Sequence, residues 1–191
     1  MSFIALGQAP DLVARRRFLR SSGLLLTGSA VALMAGRDAL AAKSGASHES
    51  DVRILNTALA AELEAVAAYQ VGAESGLLQK PVLDLAVTFQ GHHKEHAEVL
   101  AKTIQKLGGK PVAAKAKYSF PTDKLKSQAD VLRFAAGLEK GAVSAYLGAV
   151  PVFDNRDLSK AAASILGDEA MHWAVLRQAV GEAPVPSAFV A

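Results

Sequence analysis

Glu169 and His172 stand three residues apart in a run of good helix formers, so both side chains leave the same face of one helical turn. A carboxylate and an imidazole so placed are two ligands for one metal ion. The rest of the chain supplies counterparts. His93 and His96 repeat the three-residue spacing 76 positions earlier. Glu62 and Glu139, 77 positions apart, each open the pattern Glu-x-x-Ala-Val-x-Ala-Tyr, which closes on Tyr69 and on Tyr146. The nearly constant offset marks two halves that repeat each other. It aligns Glu62 with Glu139, His93 with Glu169 and His96 with His172. Two shifted frames also exist, His92 with His96 and Asp168 with His172, each at four-residue spacing; the repeat favours His93 and Glu169. Glu64 leaves its helix in another direction from Glu62 and reads as a solvated charge, and Trp173 reads as packing.

The elements that must position these groups are helical. Ile54, Leu55, Ala58, Leu59, Ala65 and Val66 fall at three- and four-residue steps and predict a helix from Asp51 to about Ser75, with Ser50 or Asp51 as its cap. Lys80-Pro81 opens a second helix, Pro in the favoured first turn, and Gly108-Gly109 ends it near Leu107. A third runs from about Ala129 to Val150, and a fourth from Asp157 or Leu158 to Gly181, with Pro151 to Asn155 between them. Residues 109–127, with Pro111, Pro121 and a short Tyr118-Ser119-Phe120, form a connection rather than a turn. A helix of about 25 residues spans roughly 37 Å, and this segment at about 3.3 Å per residue is long enough to run beside it from end to end. No strand pattern appears. The expected fold is all-α, an antiparallel four-helix bundle with one long crossover between helices 2 and 3, over residues 51–181. Residues 42–50 read as a flexible leader and 182–191 as a C-terminal tail.

In this arrangement the chain resembles the ferritin-like superfamily in the broad sense that includes rubrerythrins and bacterioferritins. The resemblance implies one Glu from each of two helices and Glu-x-x-His from each of the other two, together binding two metal ions in the core. Glu62, Glu139, Glu169, His96 and His172 fit that pattern. His93 stands where the pattern has Glu, which keeps a ligand but replaces an oxygen donor able to bridge two metals by a nitrogen donor that is not. Such groups in an apolar core carry a large desolvation cost unless paired or metal-bound. Three carboxylates against two dications leave a net positive site. The expectation is therefore two iron ions, or one tight and one weak, with the position nearest His93 the weaker, and with Mn or Zn as the alternatives, Zn being the ion a nitrogen-rich site favours. The resemblance further implies iron oxidation with O2 or H2O2 as the co-substrate, and a homo-oligomer. Tyr69 and Tyr146, seven residues beyond the two Glu on the same face, are candidates to hydrogen-bond ligand carboxylates from behind. The alternative function is a bundle that keeps the fold as a stress-related or interaction protein, metal-free or with metal in a structural role.

The N-terminus reads as an address label. Arg15-Arg16-Arg17-Phe18-Leu19-Arg20 resembles the twin-arginine motif; behind it, Leu24 to Ala35 is apolar but shorter than the roughly 20 residues that span a bilayer. Ala39-Leu40-Ala41 is a small-x-small cleavage signal, so residues 1–41 are expected to be removed, leaving a periplasmic or secreted protein with no stable membrane span. Five of the 21 basic and two of the 18 acidic residues lie in 1–41, so the remaining 150 residues hold 16 of each. A formally neutral domain has no basic stripe to neutralise phosphates, which excludes nucleic acid as a partner class. With no Cys, stability rests on packing or metal.

Overall fold

The computed structural model describes residues 45–190; the expected signal segment and its cleavage point lie outside them. Four helices carry the fold: α1 (Gly45–Glu74), α2 (Lys80–Lys106), α3 (Gln128–Ala149) and α4 (Arg156–Ala179). Single 3-10 turns occupy Thr122–Lys124 and Val150–Val152, and there is no strand among the described residues. The helix ends follow local chemistry. Ser127 Oγ accepts the Asp130 N–H at 3.2 Å and donates to the Asp130 carboxylate at 2.8 Å, a reciprocal cap on α3. Asn155 Oδ1 accepts the Asp157 N–H at 2.9 Å to start α4. Gly108, at a φ of +79°, closes α2 in a conformation other residues adopt only with strain.

Of the leader expected over 42–50, residues 45–50 lie in α1 and residues 42–44 lie outside the described residues. α1 extends back to Gly45, so Ser50 and Asp51 lie inside the helix and do not cap it. Both are buried. The Asp51 carboxylate instead accepts the N–H groups of Asp154 (3.0 Å) and Asn155 (3.2 Å), pinning the α3–α4 connection to the first turns of α1. That tertiary anchor extends the helix beyond its apolar periodicity.

Two long-range contacts fix the topology. Asn56 donates to the Lys110 carbonyl (3.1 Å) and accepts from the Val112 N–H (2.7 Å), tying the start of the crossover to the early part of α1. The Gln79 N–H donates to Gln128 Oε1 at 2.8 Å, tying the α1–α2 turn to the start of α3. The crossover therefore runs the full length of the bundle, and α3 runs antiparallel to α1. Along the way Phe120 meets Phe134 of α3 edge-on, 5.9 Å between ring centres.

Apolar residues gather at the two ends of the interior. Leu55, Leu59, Leu100, Ile104, Phe153 and Ile165 pack at the end where α1 begins. Phe89, Leu132 and Leu176 pack toward the other. Each such side chain contributes roughly 1.5–3 kcal/mol on burial. Between the two clusters lies a polar layer that these packed ends hold in register. No described helix is long and apolar enough to cross a membrane.

Candidate metal centre

The polar layer consists of the six donors singled out above. Glu62 on α1, His93 on α2, Glu139 on α3, and Glu169 and His172 on α4 are almost wholly buried, and His96 on α2 is largely so. The helical periodicity of each segment turns these positions inward with their apolar neighbours, and the antiparallel register brings the two halves to one height. Ligand atoms of Glu62, His93, His96 and Glu169 lie within 4.8 Å of one another, as do those of His93, Glu139, Glu169 and His172. These are two adjacent four-donor groups. Glu169 belongs to both, with two oxygens that can serve one each.

His93 also belongs to both groups, so the donor geometry does not single out one metal position as nearest to it. Its Nδ1 is 2.8 Å from Glu62 Oε2 and its Nε2 3.2 Å from Glu139 Oε1, so the ring sits between carboxylates of α1 and α3 with a nitrogen facing each. Two ionised carboxylate partners require both nitrogens to donate, as an imidazolium does. Burial opposes that charge, but the hydrogen bonds to Glu139 and Glu62 outweigh it and push His93 up to about 11. The same contest raises His96 to about 9, burial being overcome by Glu169 and Glu62. His172 rises to about 9 as well, with Glu139 and Glu169 overcoming burial. Reciprocally, burial tends to raise Glu62, but His93 and His96 bring it below its ordinary value. Burial also works against ionisation of Glu139, which His172 and His93 nevertheless hold well below the usual carboxylate range.

The two tyrosines act across the halves. Tyr146 Oη donates to Glu62 Oε1 at 2.5 Å, and Tyr69 Oη donates to Glu139 Oε1 in a short hydrogen bond. Antiparallel packing of α1 on α3 sets each Tyr opposite the Glu of the other helix, not its own. Burial and the adjacent carboxylates raise both phenols well above their ordinary range, so they remain donors.

Whether the donor set suits a metal can be judged from its unpartnered atoms. His96 Nδ1, His172 Nδ1, Glu139 Oε2 and both Glu169 carboxylate oxygens are buried without a hydrogen-bond partner. An orphaned polar group of this kind costs about 1–3 kcal/mol, more when charged. His96 Nδ1 and Glu169 Oε1 are 3.1 Å apart, yet their angles do not make a hydrogen bond. Close approach without hydrogen-bond geometry is what ligands aimed at a common cation produce. The residues present therefore fit divalent metal.

Two side chains that the repeat had set aside lie beside this layer. Asp168 Oδ2 is 3.4 Å from His96 Nε2 and 3.3 Å from His172 Nε2, so one carboxylate faces the outer nitrogen of both histidines. His92 Nδ1 is 2.8 Å from His172 Nε2 and 3.2 Å from Asp168 Oδ2. The signal for them was in the sequence: His92 and Asp168 are equivalent in the two halves and sit four residues before His96 and His172. Phe89 stacks on His172 with ring centres 3.9 Å apart, sealing the face of that ring. On the opposite side, a cavity of about 50 Å³ between α1 and α3, lined by Ala58, Ala61, Ala65, Ala142 and Ala145, reaches Glu62, His93 and Glu139.

Comparison with known proteins agrees with this architecture. Residues 50–182 match the ferritin-like domain family. No curated protein sequence matches. Among solved structures, the chain is similar to a conserved hypothetical protein from Mycobacterium tuberculosis, with a TM-score of 0.65 and 23% identity over 75% of this chain and 99% of that one. It is also similar to ferritin-like, diiron-carboxylate proteins from Bacillus anthracis, with a TM-score of 0.61 and 18% identity over 70% of this chain and 97% of the other. At these identities the likeness speaks for the fold.

Proposed function

This chain belongs to the ferritin-like domain family, and we propose that its polar layer binds divalent metal, iron first, in two adjacent and unequal positions that support iron oxidation by dioxygen or peroxide. The observation that carries the reading is the convergence of five buried, unpartnered ligand atoms from α2, α3 and α4. The diiron-carboxylate relatives of the same fold support the choice of iron over Mn or Zn. The inequality follows from His93. A neutral imidazole offers one lone pair, so His93 serves either the Glu62 group or the Glu139 group, and only Glu169 can serve both.

Bound iron would supply one-electron redox chemistry toward a small oxidant. The protein's part is positional. Tyr69 and Tyr146 fix the carboxylates of Glu139 and Glu62 from behind, and Phe89 and the apolar end clusters keep water from the layer. The alanine-lined cavity gives a small uncharged oxidant a path to Glu62 and Glu139. Glu139→Ala or His172→Ala should abolish both metal retention and iron oxidation, measured by elemental analysis and by ferric absorbance during aerobic turnover. Activity surviving both substitutions overturns the reading.

One observation favours a second reading, in which the bundle is an interaction or stress-related protein without redox chemistry. Three buried carboxylates face three imidazoles that are all held toward their charged form, so the layer can balance its own charge. Thermal melts with and without chelator separate the two, since only a metal-built core loses stability when metal is withdrawn. The reading also places the protein outside the cytoplasm. Support comes from the Arg15-Arg16 pair and the Ala39-Leu40-Ala41 signal, and the test is whether Arg15→Lys with Arg16→Lys retains the protein in the cytoplasm uncleaved.

A further inference from the structure

His92, Asp168 and His172 form a second constellation of metal-type donors that the core does not use in full. Their ligand atoms lie 2.8, 3.2 and 3.3 Å from one another, a nearly equilateral triangle of two nitrogens and one oxygen. Ligands at about 2.0–2.2 Å from one tetrahedral ion lie roughly 3.3 Å apart. Two edges of the triangle already match that spacing, and the His92–His172 edge needs to open by about half an ångström to hold one. Unlike the core, it is open: the side chains of His92 and Asp168 are 40% and 23% exposed, while His172 is 2% exposed. The open side leaves room for water or an incoming ligand to complete the coordination.

We infer that His92 Nδ1, Asp168 Oδ2 and His172 Nε2 form a rim site for a divalent transition-metal ion that loads the core. The basis is the position of His172, whose Nε2 faces the rim while its Nδ1 lies 3.5 Å from Glu139 and 3.6 Å from Glu169. A neutral imidazole carries one lone pair and one N–H. With the lone pair on Nε2, His172 completes the rim site and its Nδ1–H points at the core carboxylates. With the lone pair on Nδ1, it completes the inner group of His93, Glu139 and Glu169, and its Nε2–H donates to His92 Nδ1 at 2.8 Å. One ring thus serves one site or the other, so filling the inner group removes a ligand from the rim. An ion on the rim stands one ring-width from the core donors. The site itself stands on its own geometry; its loading role rests on the core taking metal.

Equilibrium dialysis and Co2+ absorption titration of the wild-type protein and of His92→Ala test this, with His92→Gln as a second variant that keeps a polar side chain there. His92 belongs to neither core group, so the core should hold the same number of ions in all three proteins, although the variants deprive His172 of the outer partner 2.8 Å from its Nε2. In wild type one further ion per chain should occupy the rim before the core fills, seen as a Co2+ band that appears at substoichiometric metal and fades as the inner group takes His172, and it should bind at least about tenfold more weakly in either variant, since even an outer partner of a metal ligand is worth 10–100-fold in affinity. Core filling at limiting Fe2+ should be several-fold slower in both variants, with the final stoichiometry unchanged. Equal stoichiometry, affinity and filling rate in wild type and both variants overturns the proposal. Loss of the further ion with an unchanged filling rate overturns the loading role. A rim ion lost on substituting His92 in a protein whose core takes no metal would uphold the site and reject the core reading instead.

Discussion

His93→Glu is the substitution that most directly probes how the polar layer is balanced. In the wild-type protein three carboxylates face three imidazoles, and His93 bridges Glu62 and Glu139 with a nitrogen at 2.8 and 3.2 Å from each. Replacing it with Glu removes one cation and adds one anion, leaving four carboxylates against His96 and His172. With metal chelated, the uncompensated buried charge should cost on the order of 3–5 kcal/mol. For a bundle of this size, about 3–5 °C of melting temperature per kcal/mol follows from the size scaling of unfolding entropy. The chelated variant should therefore melt roughly 10–20 °C below chelated wild type. Metal should reverse the order of effects. Four carboxylates neutralise two dications, and a bridging oxygen replaces the single imidazole lone pair, so the second ion should bind more tightly, each tenfold adding about 1.4 kcal/mol. The assay is differential scanning calorimetry at pH 7 with chelator and with saturating Fe2+ under anaerobic conditions, alongside metal stoichiometry. A chelated variant that melts within about 2 °C of wild type would refute the charge argument. So would an Fe2+-induced rise no larger in the variant than in wild type.

The remaining expectations are more local. Tyr146→Phe leaves Glu62 Oε1 without its donor and Tyr69→Phe leaves Glu139 Oε1 with His93 Nε2 alone, so each should cost about 1–3 kcal/mol, the first the more, read in chemical denaturation; the double variant should also release metal faster than wild type. The pH dependence of the chelated protein has a defined sign. His96, His172 and His93 are raised above 6.5, so the stability they lend is complete below about pH 6.5 and is lost as pH rises through about 9 and then 11. Glu62 and Glu139 are lowered from 4.5, so their share is present above about pH 4.5 and is lost as pH falls below it. Melting temperatures with chelator should accordingly peak between about pH 4.5 and 6.5, while the stabilisation by metal should grow from pH 6 to 8 because ligation needs neutral imidazole. Asp51→Ala removes the acceptor for the Asp154 and Asn155 N–H groups and should destabilise by about 1–3 kcal/mol without altering metal stoichiometry.

The helices and the six inward donors were legible in the sequence because both depend on short-range spacing. Apolar residues at three- and four-residue steps marked α1 to α4, and the 76- and 77-residue offsets aligned Glu62 with Glu139 and His93 with Glu169 before any packing was known. The first turns of α1 were not legible, since what holds them is the contact of Asp51 with residues 154 and 155, more than a hundred positions away. Spacing also says which face a side chain leaves but not which atom it turns inward. That His93 offers one nitrogen to Glu62 and the other to Glu139 depends on three helices meeting at one height. That each Tyr serves the Glu of the opposite helix depends on α3 running antiparallel to α1. The place of His92 and Asp168 at the rim, against the outer nitrogen of His172, likewise follows from ring orientations fixed by packing on Phe89 and between α2 and α4. Sequence by itself determined the set of inward donors and their two-fold repeat, because helical periodicity is local. Only the tertiary structure decided which atoms meet, because rotamers and inter-helix register are set by neighbours far away in the chain.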